Sequence, residues 1–257
     1  MKKLLGVFAH PDDESYMAAG TLAKYAKAGW KIDLVCATRG EDSARGSFTA
    51  TDSDTFGGVR QKELELAASQ IGASSITFLD YKDGKLSSQT PGDVEEKLMK
   101  VLRENKPDVV ITMEPSGVTN HPDNVKLSLS TTFAFQKYAA DRHEENPADE
   151  NPPKLYYACM PDSIVSYFIK KKYFSGESFG KPWRGIDDKK ITTVIDIKRQ
   201  KGVKTKALFS YESQKEEMEA YIAIPHNPFL SQEYFILRYV GIVEAFMGKN
   251  DRVSDRL

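Results

Sequence analysis

Six short apolar segments recur along the chain and predict the strands of a sheet. They cover residues 3–9, 32–37, 76–79, 108–113, 154–159 and 191–197. Continuous apolar runs of this kind are typical of strands buried on both faces, as in a parallel sheet.

Helical patterns lie between the early strands. Two segments each carry one apolar stripe on a polar background, which is typical of helices with one buried face. The stripes consist of Leu64, Ala67, Ala68 and Ile71 in the first segment, and Val94, Leu98, Val101 and Leu102 in the second. Strand and helix alternate, so the chain predicts right-handed βαβ units and a Rossmann-like α/β three-layer sandwich with a mostly parallel sheet. We expect residues 1–257 to form a single domain.

Charge and composition narrow the function classes. Lysine and arginine number 36 against 37 acids, so no net field favours nucleic acid or an anionic membrane, and a small-molecule partner is expected. Cys36 and Cys159 each lie in an apolar stretch and are expected to be buried thiols, which suits a reducing compartment. The first apolar run ends at a histidine and offers no cleavage site, and no transmembrane segment is evident, so we predict a cytoplasmic protein.

Three polar segments interrupt this pattern. Residues 38–58 follow the second strand and are expected to border the ligand crevice, because a loop this long is usually functional or disordered. Residues 141–153 are acidic and proline-rich, which predicts a solvated excursion with His143 at the surface. Residues 166–185 mix aromatic residues with lysines. They are compatible with a cover over the crevice, with attraction to an acidic glycan, or with an ordinary amphipathic surface.

The first strand runs directly into "AHPDDE", which places His10 beside Asp12, Asp13 and Glu14. Adjacent acids repel one another, so such a cluster needs a compensating charge or full exposure. A His-x-x-Asp spacing could place His10 and Asp13 on one cation, with Asp12 as a free carboxylate. Capping of the next helix would explain one or two acids, but not the histidine.

A second histidine motif, "GVTNHPDN", follows the strand at 108–113 and contains His121. In open α/β sheets, ligands bind outside the carboxyl ends of the strands near the switch point. We therefore expect both histidines to converge on one crevice, and a metal site is favoured over capping. A nucleotide site is not favoured, because no glycine-rich turn follows the first strand.

Five motifs in succession resemble the LmbE-like, or PIG-L, family of zinc-dependent N-deacetylases. They are "AHPDDE", "TRGE", "R..EL..AA", "DYKDG" and "GVTNHPDN", with "KTKALFSYESQ" and "EYFILRYVGIVEAF" resembling the closing segments. The resemblance implies removal of an acetyl group from an N-acetylglucosamine unit or its conjugate. It implies His10 and Asp13 as zinc ligands, Asp12 as general base and His121 as the oxyanion stabiliser.

The chain departs from the family pattern at Asn124, where the resemblance implies a histidine as third metal ligand. Three interpretations remain open. Asn124 coordinates through its amide oxygen, which would weaken zinc binding and admit another divalent ion. Alternatively, His121 moves onto the metal and leaves the oxyanion role empty. In the third, hydrolysis is lost and the protein only binds a sugar conjugate. Because His10, Asp12, Asp13 and His121 are all present, retained activity is favoured.

The resemblance also implies that Arg60, Asp83 and Glu41 bind the sugar. Arg45 lies on the same long loop as Glu41 and is similarly ambiguous. From the residues alone, an isolated arginine is more often a solvated charge, and Asp-Gly is a common turn pair. Tyr211 replaces a histidine that is common in the family, so no role is transferred to it. His226 is expected to be a loop residue. Whether the chain forms a homo-oligomer is left open.

Overall fold

An eight-stranded sheet forms the centre of the computed structural model, which describes residues 1–43, 45, 52–247 and 252–257. A two-stranded hairpin lies outside it. The strands, in chain order, are β1 Lys3–Phe8, β2 Lys31–Cys36, β3 Ser75–Phe78, β4 Val109–Met113, β5 Lys154–Cys159, β6 Glu177–Ser178, β7 Lys181–Pro182, β8 Thr193–Asp196, β9 Gln232–Val240 and β10 Val243–Glu244.

The main sheet has the order β10-β9-β5-β4-β1-β2-β3, with β8 also paired to β9. Strands β1 to β5 are parallel, whereas β8, β9 and β10 run antiparallel to their neighbours. From β1 the chain first builds outward through β2 and β3, and then returns to add β4 on the other side of β1. The switch point therefore lies between β1 and β4, where a crevice opens at the carboxyl ends of the strands.

Helices cover both faces of the sheet and complete the three-layer α/β sandwich that the sequence predicts. They are α1 Asp13–Met17, α2 Ala19–Lys27, α3 Ser53–Ile71, α4 Asp93–Asn105, α5 Gly117–Asn120, α6 Pro122–Glu145, α7 Asp162–Lys170, α8 Lys201–Phe209 and α9 Lys215–Ile222. One apolar core includes the stripe of α3, and a second core on the opposite face includes the stripe of α4. Both predicted stripes are buried.

The first five predicted strands are found within one or two residues of their predicted bounds. The segment at 191–197 also contains a strand, β8, but it pairs antiparallel with β9. Strand β9 was not among the predicted strands, although it is the longest strand of the described residues. Cys36 and Cys159 are buried free thiols, as expected.

The polar segments differ from expectation in extent. Helix α3 begins at Ser53, so the end of the predicted 38–58 loop is helical, while residues 44 and 46–51 lie outside the described residues. Helix α6 continues to Glu145, which makes the start of the 141–153 segment helical too. His143 is exposed, as predicted, and His226 lies in a turn, in agreement with the expected loop position. Over the described ranges, no helix combines the length and apolarity that crossing a membrane requires.

Candidate metal-dependent active site

The loops that follow β1 and β4 border one cavity of about 460 Å³ at the switch point. The two histidine motifs therefore converge, as the sequence predicts. Seven of the eight predicted site residues line this cavity; they are His10, Asp12, Asp13, Arg60, Asp83, His121 and Asn124. The eighth, Glu41, contacts Asp83 instead of lining the cavity: its Oε1 accepts the Asp83 backbone N–H at 2.9 Å.

Asp12 occupies a strained turn between β1 and α1. Its φ of 105° lies in the left-handed region that non-glycine residues seldom adopt, which costs about 1–3 kcal/mol. The surrounding contacts hold it there. Glu14 Oε2 accepts the Asp12 backbone N–H at 3.1 Å, and an Nη2 hydrogen of Arg60 reaches Asp12 Oδ2 at 2.8 Å. Strain maintained in this way fixes the direction of the Asp12 carboxylate.

Arg60 lies at the floor of the cavity with a side chain that is 1% exposed. Besides Asp12, it donates to the Pro11 carbonyl and faces Glu63 at 3.7 Å. Its guanidinium also lies over the ring of Tyr211 at 5.3 Å. Because these groups enclose it, Arg60 is placed to orient Asp12 more directly than to reach a substrate.

A buried network continues beneath Asp12. The hydroxyl of Tyr211 donates to Glu14 Oε1 at 2.6 Å, and the same oxygen accepts from the Ser15 hydroxyl. Sequence reasoning transferred no role to Tyr211, because a tyrosine stood where the resemblance implied a histidine. The contact with Glu14 spans 197 positions of the chain, so no local pattern could have revealed it.

The electrostatics of this pocket suit a general base. Burial raises the pKa of Asp12 to about 7; the Arg60 guanidinium opposes this shift, and Asp13 adds to it. A base acts best when its pKa lies near the working pH. The contact with Arg60 therefore keeps Asp12 able to ionise in a site where burial alone would hold it neutral.

His10 is surrounded by carboxylates. Its Nδ1 lies 3.5 Å from Asp13 Oδ2, and its Nε2 lies 3.0 Å from Asp83 Oδ1 and 3.5 Å from Asp123 Oδ2. Burial opposes protonation of His10, but the neighbouring carboxylates of Asp123, Asp13 and Asp83 outweigh it and raise the pKa of His10 well above its ordinary value. An imidazole among several carboxylates is a typical environment for a divalent cation.

Asp123 is a site residue that sequence reasoning did not single out. Its carboxylate is fully buried and accepts backbone N–H groups from Gly84, Leu86 and Ser87. These bonds tie the turn after Asp83 to the first turn of α6. Asp83 accepts the backbone N–H of Asp42. Burial favours a higher pKa for Asp83, but contact with His10 outweighs burial and lowers this pKa to about 2.

The hydrogen bonding of His121 defines its tautomer. His121 caps α6, where its Nδ1 accepts the Asp123 backbone N–H at 3.1 Å. Burial and the neighbouring His10 lower the pKa of His121, so its ring is neutral near pH 7. A neutral imidazole that accepts at Nδ1 carries its proton on Nε2. His121 is therefore prepared to donate a hydrogen bond from Nε2, and that proton obstructs metal ligation at the same atom.

Asn124, in the first turn of α6, is 5% exposed, and its Oδ1 is buried without a hydrogen-bond partner among the described residues. Such an acceptor is costly to leave unpaired, so Asn124 Oδ1 fits a role as partner of a bound cation or donor. Gly117 makes room for it with a φ of +69°, since a Cβ there would lie 2.9 Å from Asn124 Cβ.

A compact donor set for a metal ion is present among the described residues and overlaps the set that the sequence predicts. His10, Asp83 and His121 have ligand atoms that all lie within 4.8 Å of one another. The predicted set shares His10 with this group and adds Asp13 and Asn124. His10 Nε2 is itself buried and not aligned for a hydrogen bond with Asp83, despite the 3.0 Å separation. An unpartnered imidazole nitrogen and an unpartnered amide oxygen both fit a bound cation.

Sequence comparison identifies the family. The model of the PIG-L family, described as GlcNAc-PI de-N-acetylase, matches residues 5–132. A 1D-myo-inositol 2-acetamido-2-deoxy-alpha-D-glucopyranoside deacetylase from Rhodococcus erythropolis is 30% identical, over 92% of this chain and 90% of its own. The chain belongs to the PIG-L family. This confirms the resemblance that the motifs predict.

Solved structures share the PIG-L fold at lower identity. N,N'-diacetylchitobiose deacetylase from Pyrococcus horikoshii is 22% identical with a TM-score of 0.63, covering 94% of this chain and 85% of its own. GalB, a 4-carboxy-2-hydroxymuconate hydratase from Pseudomonas putida, is 19% identical with a TM-score of 0.68. The match covers 96% of this chain and 100% of the GalB chain. At these identities the structures support the fold, and the reaction has to be argued from the site itself.

Proposed function

We propose that the protein is a metal-dependent hydrolase that removes the N-acetyl group from an N-acetylglucosamine-type sugar or sugar conjugate. The observation that carries this proposal is the position of Asp12, a partly buried carboxylate that is held by Arg60 and lies in one cavity with a cluster of metal-ligand donors. The PIG-L relative from Rhodococcus erythropolis, named as a deacetylase of an acetamido sugar, supports the substrate class.

Zinc is the proposed metal, although the oxygen-rich donors also admit another divalent ion. The proposed ligands are His10, Asp13 and Asn124. The unpartnered Asn124 Oδ1 and the tautomer of His121 favour this set over one that uses His121. When bound by these residues, zinc would supply a lower pKa for the attacking water and polarisation of the amide carbonyl.

The proton transfers fall to Asp12. Its carboxylate accepts a proton from the attacking water as the oxygen of that water bonds to the amide carbon. When the C–N bond breaks, Asp12 returns the proton to the departing nitrogen. Acetate and a free amino sugar are the products, so the consumed water supplies the hydroxyl and the hydrogen that the two products gain.

His121 is proposed to stabilise the oxyanion that forms on the carbonyl oxygen. A donor in a buried, fixed position is worth about 10²–10³ in rate. The Nε2 proton of His121 is fixed by the backbone contact at Nδ1, and Phe179 packs against the ring at a centroid distance of 4.5 Å. The imidazole ring of His121 therefore needs little reorientation during the reaction.

The sugar-binding roles predicted for Arg60, Asp83 and Glu41 remain proposals and divide into direct and indirect ones. Asp83 lines the cavity and is placed to accept a hydroxyl hydrogen of the sugar. Glu41 acts by fixing the Asp83 backbone, and Arg60 by orienting Asp12. We further propose that residues 1–257 act as one domain in the cytoplasm.

A panel of N-acetylated amino sugars and their conjugates, incubated with the protein and added zinc, tests the proposal. Equal release of acetate and free amine from at least one member is expected. Tight sugar binding without turnover, under every divalent metal supplied, would favour a binding protein of the same fold. The ligand set is tested separately by metal content: Asn124→Ala is expected to reduce bound zinc, whereas His121→Ala should retain it. The opposite pattern favours the set with His121.

A further inference from the structure

A second cavity, of about 250 Å³, lies beside the first and has different chemistry. Its walls are mainly apolar side chains from α1, β4, α5, the end of β5 and the segment at 173–183. They include Met17, Met113, Val118, Met160, Phe174 and Trp183. Three methionines allow such a pocket to adapt to occupants of different shape.

The two cavities meet at the proposed reaction centre. Asp13, Tyr16, Thr119, Asn124 and Glu217 line both of them. Asp13 and Asn124 are proposed metal ligands. The Tyr16 hydroxyl is buried without a hydrogen-bond partner among the residues described, so a polar group of the substrate can be accommodated at this boundary. An amide held at the reaction centre therefore borders both cavities.

The wall of the second cavity is held in place by specific contacts. Trp183 stacks on Phe174 at a centroid distance of 4.5 Å, and its Nε1–H donates to the Val118 carbonyl at 2.8 Å. Val118 itself has a φ of 62°, which is rare for a β-branched residue, and its backbone N–H is bound by the Glu114 carboxylate at 2.8 Å. The segment at 173–183, α5 and the residues directly after β4 thus contact one another and hold this apolar wall in place.

We propose that this second cavity binds the acyl group of the scissile amide and accepts acyl chains longer than acetyl. The inference rests on the proposed amide hydrolysis. The two halves of an N-acyl amino sugar differ in polarity, and the cavity lined by Asp42 and Asp83 suits the sugar half. The apolar cavity suits the acyl half. An engineered apolar cavity of about 150 Å³ holds a benzene ring, so about 250 Å³ has room for an acyl chain of about six carbons.

The test compares N-acetyl-, N-butanoyl- and N-hexanoylglucosamine as substrates, with free amine as the readout. Each fully buried methylene is worth about fourfold. We expect kcat/KM to rise at least about tenfold from acetyl to hexanoyl, within the upper limit of about 250-fold set by four methylenes. A flat or falling series overturns the inference while leaving the deacetylase proposal intact.

A matched pair of variants tests whether the preference for longer acyl chains depends on the apolar cavity. Ser175 is exposed and lines the apolar cavity, so Ser175→Trp places a bulky ring in it. Ser178 lies on the same segment but lines neither cavity, so Ser178→Trp is the control. We expect the hexanoyl-to-acetyl ratio to fall at least about fivefold in the first variant and to stay unchanged in the second. Equal ratios in both variants contradict the inference.

Two further measurements separate the inference from the proposed function. If no substrate is cleaved, the deacylase function fails, and calorimetric binding of the same compounds to Asp12→Asn still tests the pocket: affinity should rise with chain length. Alkyl glycosides of N-acetylglucosamine extend the opposite end of the substrate. If these, in place of the longer acyl chains, gain kcat/KM and lose it in Ser175→Trp, the cavity binds the aglycone and the inference is wrong.

Discussion

Replacing Asp12 with asparagine should abolish turnover while preserving the fold and the metal. Asparagine keeps the shape of the side chain and tolerates the positive φ better than most residues. In the wild type, Arg60 donates to Asp12 Oδ2 at 2.8 Å, and the amide oxygen of asparagine can still accept from Arg60. The substitution therefore replaces an ion pair by a hydrogen bond from the Arg60 cation to a neutral amide. We estimate the loss of unfolding free energy at about 1 kcal/mol, from the difference between those two classes of bond.

The effect on catalysis should be far larger. A general base contributes about 10²–10⁴ in rate, so acetate release should fall by that factor at pH 7. Bound zinc, measured by elemental analysis, should not change, and the melting temperature should fall by only a few degrees. Asp13→Asn is the comparison and should lose metal first. If Asp12→Asn retains activity within about threefold, or loses the metal while Asp13→Asn keeps it, the assigned roles are wrong.

Three further substitutions test other parts of the account. Asn124→His should raise zinc affinity, measured by chelator competition, because imidazole binds zinc better than an amide oxygen. Arg60→Lys should keep zinc but lower kcat/KM about tenfold to a hundredfold, since lysine cannot reproduce the fork that orients Asp12. Against the effect of burial, bonds to Ser130 and Lys126 lower the pKa of Glu95 to about 2. Glu95→Gln should therefore lower stability in urea melts by about 1–2 kcal/mol above about pH 4.5, and this deficit should shrink as the pH falls towards 2.

The parallel core of the fold was predictable because its strands are buried on both faces and leave continuous apolar runs. Strand β9 was not predicted. Its burial varies along its length, and it joins the sheet by antiparallel pairing with β5, a partner distant in sequence. Local hydrophobic patterns carry no information on the direction of such a pairing.

The convergence of the candidate site residues was predictable where a motif directly follows a strand. His10, Asp12, Asp13 and His121 follow two strands whose ends must meet at a switch point. The supporting residues were not predictable in this way. Tyr211 and Asp123 form contacts with distant parts of the chain. Arg60 contacts Asp12 only because α3 packs beside the turn between β1 and α1.

Dependence of acetate release on bound metal is the decisive measurement for the proposed metal-dependent deacetylation. Protein stripped with a chelator and then titrated with zinc should show no acetate release from its best N-acetylated substrate at first. Activity should then rise in proportion to bound zinc and level off at one ion per chain, while Asp12→Asn binds the same zinc without recovering activity. Full acetate release from protein that contains no divalent metal would contradict the account.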